Sequence, residues 1–184
     1  MEMKDTREIA APPQEVWAAL FDPEVLRQCV PGCEELTGSR EEGFEATVLQ
    51  KVGPVKARFR GNIAIADITE GESATLQGEG KGGAAGFARG EARVWLAPSE
   101  TGTQLSYEVE AKVGGKLAQL GSRIIDGFAR KLADQFFERF QTAVEAPEEG
   151  GTDDGDAGAA VSPDADAQAQ EAKPKGWIRR MVGR

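Results

Sequence analysis

Within Leu105–Phe140, LSYEVEAKVGGKLAQLGSRIIDGFARKLADQFFERF, the spacing of apolar residues changes once, and that change decides the fold. Leu105, Tyr107, Val109, Ala111 and Val113 alternate with Ser106, Glu108, Glu110 and Lys112, the pattern of a half-buried antiparallel strand. Beyond Gly114-Gly115, Leu117, Leu120, Ile124, Phe128, Leu132, Phe136 and Phe140 recur at steps of three and four. That is the stripe of an amphipathic helix, with Asp126, Arg130, Lys131, Asp134, Glu138 and Arg139 largely off it. The spacing predicts one long helix over 116–146, ended by Pro147.

Period-two alternation extends upstream. Val55, Ala57, Phe59, Gly61, Ile63 and Ile65 face one way, against Lys56, Arg58, Arg60 and Asn62. Ala92, Val94 and Leu96 oppose Glu91, Arg93 and Trp95. Gly53-Pro54, Glu70-Gly71 and Thr101-Gly102 mark hairpin turns. Six or seven strands are expected. Ahead of them, residues 1–9 form a first strand. A helix follows from Ala11-Pro12-Pro13, with Val16, Trp17, Leu20 and Phe21 as its apolar face, and Pro23 starts a second short helix. The fold class is α+β: a curved antiparallel sheet gripping one C-terminal helix, the one element long enough to cover its concave face. Small inward residues (Ala57, Gly61, Ala74, Gly78, Gly80) leave room for a cavity under that helix. Gly121, on the apolar stripe, is expected either to admit the sheet backbone or to make space for a ligand.

Composition sets the organisation. Residues 1–145, the folded domain, hold 17 basic and 23 acidic residues, and the sequence shows no basic stripe, so a nucleic-acid partner is not expected. Residues 146–172 are an acidic linker. From Glu148 to Glu171 there are eight acids, no base and no aromatic, too little apolar area to offset ordering entropy. A flexible coil of that length spans ~30 Å. The final segment, 173–184 (KPKGWIRRMVGR), reverses the sign: Lys173, Lys175, Arg179, Arg180 and Arg184 are positive and nothing is negative. At ~100° per residue, Trp177, Ile178, Met181 and Val182 share one helical face. This is the pattern of an amphipathic tip lying in an anionic membrane surface.

Other features narrow the chemistry. The charged start has no apolar run after it, so no signal peptide is expected, and no stretch approaches the ~20 apolar residues that span a bilayer. The protein is expected in the cytoplasm, peripheral on the inner face of the cytoplasmic membrane. Two cysteines, Cys29 and Cys33 in CVPGC, support neither a disulfide framework nor a metal site. Histidine is absent, which removes Ser-His-Asp and Cys-His nucleophiles and His-based acid–base chemistry. Gly78-Glu-Gly80-Lys-Gly-Gly83 fits a dinucleotide fingerprint, but a strand follows it where a helix is required. Lys81 and Arg89 flank that hairpin as exposed side chains. Gly114-Gly115 permits a sharp turn into the helix.

Four stretches, IAAPPQEVWAALFDPEVLRQCVPGCEEL (Ile9–Leu36), VGPVKARFRGNI (Val52–Ile63), GEGKGGAAGFARGEARVWL (Gly78–Leu96) and GTQLSYEVEAKVGGKLAQLGSRIIDGFARKLADQFFERF (Gly102–Phe140), resemble the carbon monoxide dehydrogenase CoxG family. The wider group is the SRPBCC or START-like superfamily, whose helix-grip fold agrees with the element order. The resemblance implies a non-catalytic accessory protein that recruits a molybdenum hydroxylase of the carbon monoxide dehydrogenase type to the membrane. The superfamily's cavity suggests a bound quinone or similar lipid, with no covalent cofactor, no metal and no catalytic residue. Phe59, Ile63, Leu76, Phe87, Val94, Tyr107, Leu117, Gly121, Ile124 and Phe128 are expected to line that cavity. The alternatives are a ligand-free membrane scaffold and a polyketide cyclase-like enzyme, for which Tyr107 is the main inward polar group.

Overall fold

A computed structural model describes residues 1–145; the acidic linker and the basic tip of the sequence analysis lie outside them. The chain runs β1 (Glu2–Ile9), α1 (Pro13–Leu20), α2 (Pro23–Cys29), β2 (Cys33–Ser39), β3 (Gly43–Val52), β4 (Val55–Thr69), β5 (Ser73–Lys81), β6 (Phe87–Pro98), β7 (Thr103–Gly114), α3 (Lys116–Gln119) and α4 (Ser122–Glu145). A short 3-10 turn, Gly83–Ala85, joins β5 to β6. Seven strands form one antiparallel sheet in the order β1-β7-β6-β5-β4-β3-β2, a meander closed at one edge by β1. This is the expected helix-grip architecture.

Local chemistry sets the element boundaries. The Asp22 carboxylate accepts hydrogen bonds from the backbone N–H groups of Glu24 (2.8 Å) and Val25 (3.3 Å), capping α2, and Pro23 occupies its first turn. Trp17 Nε1 donates to Glu70 at 2.9 Å, and Arg40 binds the same carboxylate at 2.9 Å, so α1 is tied to the β4–β5 hairpin. Buried Thr103 donates to the Ala11 carbonyl at 2.7 Å, fixing the β6–β7 turn under the start of α1.

Two apolar clusters hold the helix on the sheet. The larger joins Ile9, Val16, Trp17, Phe21, Cys29, Phe44, Val94, Leu96, Leu105, Tyr107, Phe137 and Phe140. The smaller joins Val52, Leu117 and Ile125 at the other end of the helix. Phe140 is fully buried, which contributes about 1.5–3 kcal/mol relative to exposure. Hydrogen bonds reinforce that end: Gln141 donates to the Glu8 carbonyl at 2.6 Å, and Glu145 accepts from the Ala10 N–H at 2.8 Å.

The single helix expected over 116–146 is in fact two. Gly121 has φ +86°, a left-handed conformation that ends α3, and α4 begins at Ser122. No heavy atom lies within 4 Å of where a Gly121 Cβ would stand. The glycine therefore serves the chain reversal; it neither admits the sheet backbone nor opens a cavity. The break also resets the helical phase. Ile125 is buried, and Ile124 is 45% exposed.

Candidate functional site

The inner wall of the sheet is the even-numbered face of β5 and β6 and the odd-numbered face of β4 and β7. Its residues pair in register: Gly61 with Gly80 and Gly80 with Ala88; Ile63 with Gly78 and Gly78 with Gly90; Leu76 with Ala92 and Ala92 with Val109. All of these are half-buried, Gly78 and Gly90 in part through the depression on the outer face, whereas Val94, Leu96, Leu105 and Tyr107 farther along the same strands are buried. The helix shows the same gradient. Between buried Ile125 and buried Phe137, about 18 Å of α4, the inward residues Phe128, Ala129, Leu132 and Ala133 are only half-buried. A close-packed interior would bury them. Two filled ends thus bracket a gap in the packing, where the apolar, glycine-rich inner face is less tightly covered than at either end.

The glycines are of two kinds. A Cβ on Gly61 would come within 2.7 Å of the Glu79 carbonyl, and one on Gly90 within 2.4 Å of the Glu110 carbonyl. Those two positions serve close strand approach. A Cβ on Gly78 would meet nothing nearer than 3.5 Å, and one on Gly80 nothing nearer than 3.9 Å. Their missing side chains leave space over the sheet.

The ten residues expected to line a cavity do not form one group. Phe59, Leu117 and Phe128 gather at the Val52–Ile125 end. Ile63 and Leu76 lie half-buried at the other margin of the gap. Val94 and Tyr107 belong to the filled core. Gly121 and Ile124 lie at the helix break, exposed. Phe87 is on the outer face and 40% exposed, opposite Lys81 and Gly114, with its ring over Gly114. Its odd number places it with Arg89, Glu91, Arg93 and Trp95, the outward set of the same strand.

Tyr107 is accounted for within the core. Its ring stacks on Phe137, and the Arg7 guanidinium lies beside its hydroxyl. Burial pushes the phenol above its ordinary value, and Arg7 only partly offsets this. Arg7 also pairs with Asp5 at 2.8 Å and with Asp134, and lies 5.6 Å from the Phe137 ring centre. This polar cluster seals the seam between β1 and α4.

Asp126, assigned to the solvent side by the apolar stripe, is half-buried next to Ile125, and its Oδ1 is buried without a hydrogen-bond partner. The phase reset at Gly121 explains this turn, and no stripe drawn through a continuous helix would reveal it. A buried carboxylate oxygen left unpaired costs about 1–3 kcal/mol and accepts readily from a ligand hydroxyl.

A second depression, of about 660 Å³, lies on the outer face of the sheet between Gln77, Glu79, Arg89, Glu91, Glu110 and Lys112. It is open and lined by mixed charges, as the saddle of a twisted sheet is. Cys29 and Cys33 are free thiols, and burial raises both above their ordinary value. Among the described residues no cluster of three or more His, Cys, Asp or Glu could hold a metal ion, and no helix is long and apolar enough to cross a membrane.

A family model described as CoxG, a subunit of carbon monoxide dehydrogenase, matches residues 6–145. A crystal structure of a conserved protein from Geobacillus kaustophilus is similar with 32% identity and a TM-score of 0.73, covering 79% of this chain and 95% of that one. A START superfamily protein from Mycobacterium smegmatis aligns with 15% identity and a TM-score of 0.59, over 78% of this chain and 97% of that one. A Thermus thermophilus protein aligns with 17% identity and a TM-score of 0.61, over 80% and 99%. The last two share the fold. No curated protein matches.

Proposed function

The chain belongs to the carbon monoxide dehydrogenase CoxG family, and from that premise we propose that it is a non-catalytic accessory protein of a molybdenum hydroxylase, carrying a quinone or similar lipid in the gap under α4. The observation that carries this reading is the half-buried, glycine-floored inner face between two filled apolar clusters. Covering about 300 Å² of apolar ligand there contributes about 7 kcal/mol before ordering costs. A flat quinone ring needs low relief, which Gly78 and Gly80 supply. The lightly held N-terminal half of α4 is the natural place for the gap to open, since the hydrogen bonds to β1 lie near its other end.

In this reading the basic tip, residues 173–184, brings the protein to the inner face of the cytoplasmic membrane, and the domain couples the hydroxylase to the quinone pool. The test has two arms on the purified full chain. Quinone should pass from donor to acceptor vesicles at a rate proportional to protein. Deletion of residues 173–184 should release the chain from anionic vesicles without abolishing quinone binding in solution. Failure of transfer with retained vesicle binding would leave a ligand-free scaffold.

A further inference from the structure

The fold creates a charge separation that the linear sequence hides. Hairpin ends alternate along the meander, so the β3–β4 turn, the β5–β6 turn and the β7–α3 turn meet at one end of the sheet. The contacts confirm the convergence: a Cβ on Gly53 would lie 3.8 Å from Ile124, one on Gly115 2.6 Å from Gly86, and one on Gly82 2.4 Å from Phe59. The three segments that converge, 49–61, 80–90 and 111–125, hold nine of the domain's 17 basic residues and no acidic one, with Glu79, Glu91, Glu110 and Asp126 directly flanking them. The opposite hairpin ends carry Glu41, Glu42, Glu70, Glu72 and Glu100 against Arg40.

At the tips of the basic end, Lys51, Lys56, Lys81, Lys116 and Arg123 are all exposed. Neighbouring acids answer part of this charge on the outer face: Glu79 pairs with Lys81 at 3.1 Å, Glu34 with Arg58 at 2.9 Å, and Glu2, Glu91 and Glu110 share a depression with Arg89 and Lys112; the tips themselves stay cationic. The same tips expose two large apolar side chains, Ile124 and Phe87. A cationic rim around exposed apolar residues, on a domain that is acidic elsewhere, complements an anionic lipid bilayer. An exposed apolar side chain there enters the headgroup region while the lysines meet phosphate.

We infer that this end of the folded domain is itself a membrane-docking face, separate from the basic tip of the chain, and that it presents the helix break and the adjoining end of the gap to the bilayer. The choice of partner rests on the lipid-carrier reading; the surface does not. Docking in this pose would set the bilayer against the smaller apolar cluster of Val52, Leu117 and Ile125, whose parting would let a lipid enter beside the first turn of α4 without crossing water.

The test is hydrogen–deuterium exchange on the full chain, with phosphatidylcholine vesicles containing about 30 mol % phosphatidylglycerol. Protection is expected in residues 49–61, 80–90 and 111–125, and lost in high salt. In parallel, the triple variant Lys51→Glu, Lys56→Glu, Lys116→Glu should bind these vesicles on the order of tenfold more weakly. Lys4→Glu, at the β1 edge, should stay within about twofold, since a single exposed charge away from the contact adds little. Protection confined to residues 173–184, with full affinity in the triple variant, would overturn the docking face and leave the carrier reading standing. Protection of the three segments by purified hydroxylase but not by vesicles would overturn the membrane assignment. A chain that docks by this face yet takes up no quinone would support the face and refute the carrier.

Discussion

Tyr107 stacks on Phe137 with ring centres 4.9 Å apart and planes 19° from parallel, closing one end of the gap between sheet and helix. The Arg7 guanidinium lies beside its hydroxyl at the β1 seam. Tyr107→Phe is therefore expected to leave quinone binding within about twofold, because no ligand bond is lost. Phe137→Ala should cost about 3–5 kcal/mol of stability, read by urea unfolding. Loss of ligand binding in a well-folded Tyr107→Phe protein would place the hydroxyl in the site after all.

Glycine positions separate space from strain. Gly80→Leu meets nothing within 3.9 Å at its Cβ, so the side chain should enter the gap, preserve the fold and reduce quinone binding at least tenfold. Gly121→Ala forces a Cβ into a left-handed conformation and should cost about 1–2 kcal/mol with ligand affinity unchanged. Equal affinity for quinone in wild type and Gly80→Leu would show that the ligand lies elsewhere.

Glu70 joins Trp17 and Arg40, and hydrogen bonds from Arg40 and then Trp17 hold its carboxyl below the usual value of 4.5. A depressed carboxylate contributes stability above the unfolded-state pKa and loses it as pH falls through the folded value. The wild type should thus be stabilised relative to Glu70→Gln at neutral pH, with the difference closing below about pH 4.5. Urea midpoints across that range, followed by tryptophan fluorescence, would reveal it. A constant difference down to pH 2 would assign the effect to something other than ionisation.

Asp126 carries an unpaired buried oxygen next to Ile125, at the filled end that borders the gap. A quinol has hydroxyl donors and a quinone has only acceptors, so Asp126→Ala should weaken quinol retention several-fold and leave quinone retention nearly unchanged. The same variant should be as stable as wild type or more so by up to about 1 kcal/mol, since an unsatisfied group is removed. Equal loss of both redox forms would point to packing.

The fold was legible because two signals agreed: the period of two through Val113 and the steps of three and four beyond it. What escaped was decided by backbone geometry. Leu117, Leu120, Ile124 and Phe128 fit one continuous helix on spacing alone, and only the positive φ of Gly121 reveals the reset that buries Ile125 and turns Asp126 inward. Phe87 is different: its parity with Glu91 and Trp95 marked it as outward, and its aromatic character drew it wrongly into the cavity. The basic end was invisible because its charges come from three segments that only the meander brings together. The inward glycines, by contrast, followed directly from alternation.

Whether the domain holds a lipid is read directly by organic extraction of the purified full chain followed by mass spectrometry. A quinone at close to one per protein is expected in the wild type and little in Gly80→Leu. An empty wild type that also takes up no quinone from vesicles would contradict the carrier reading.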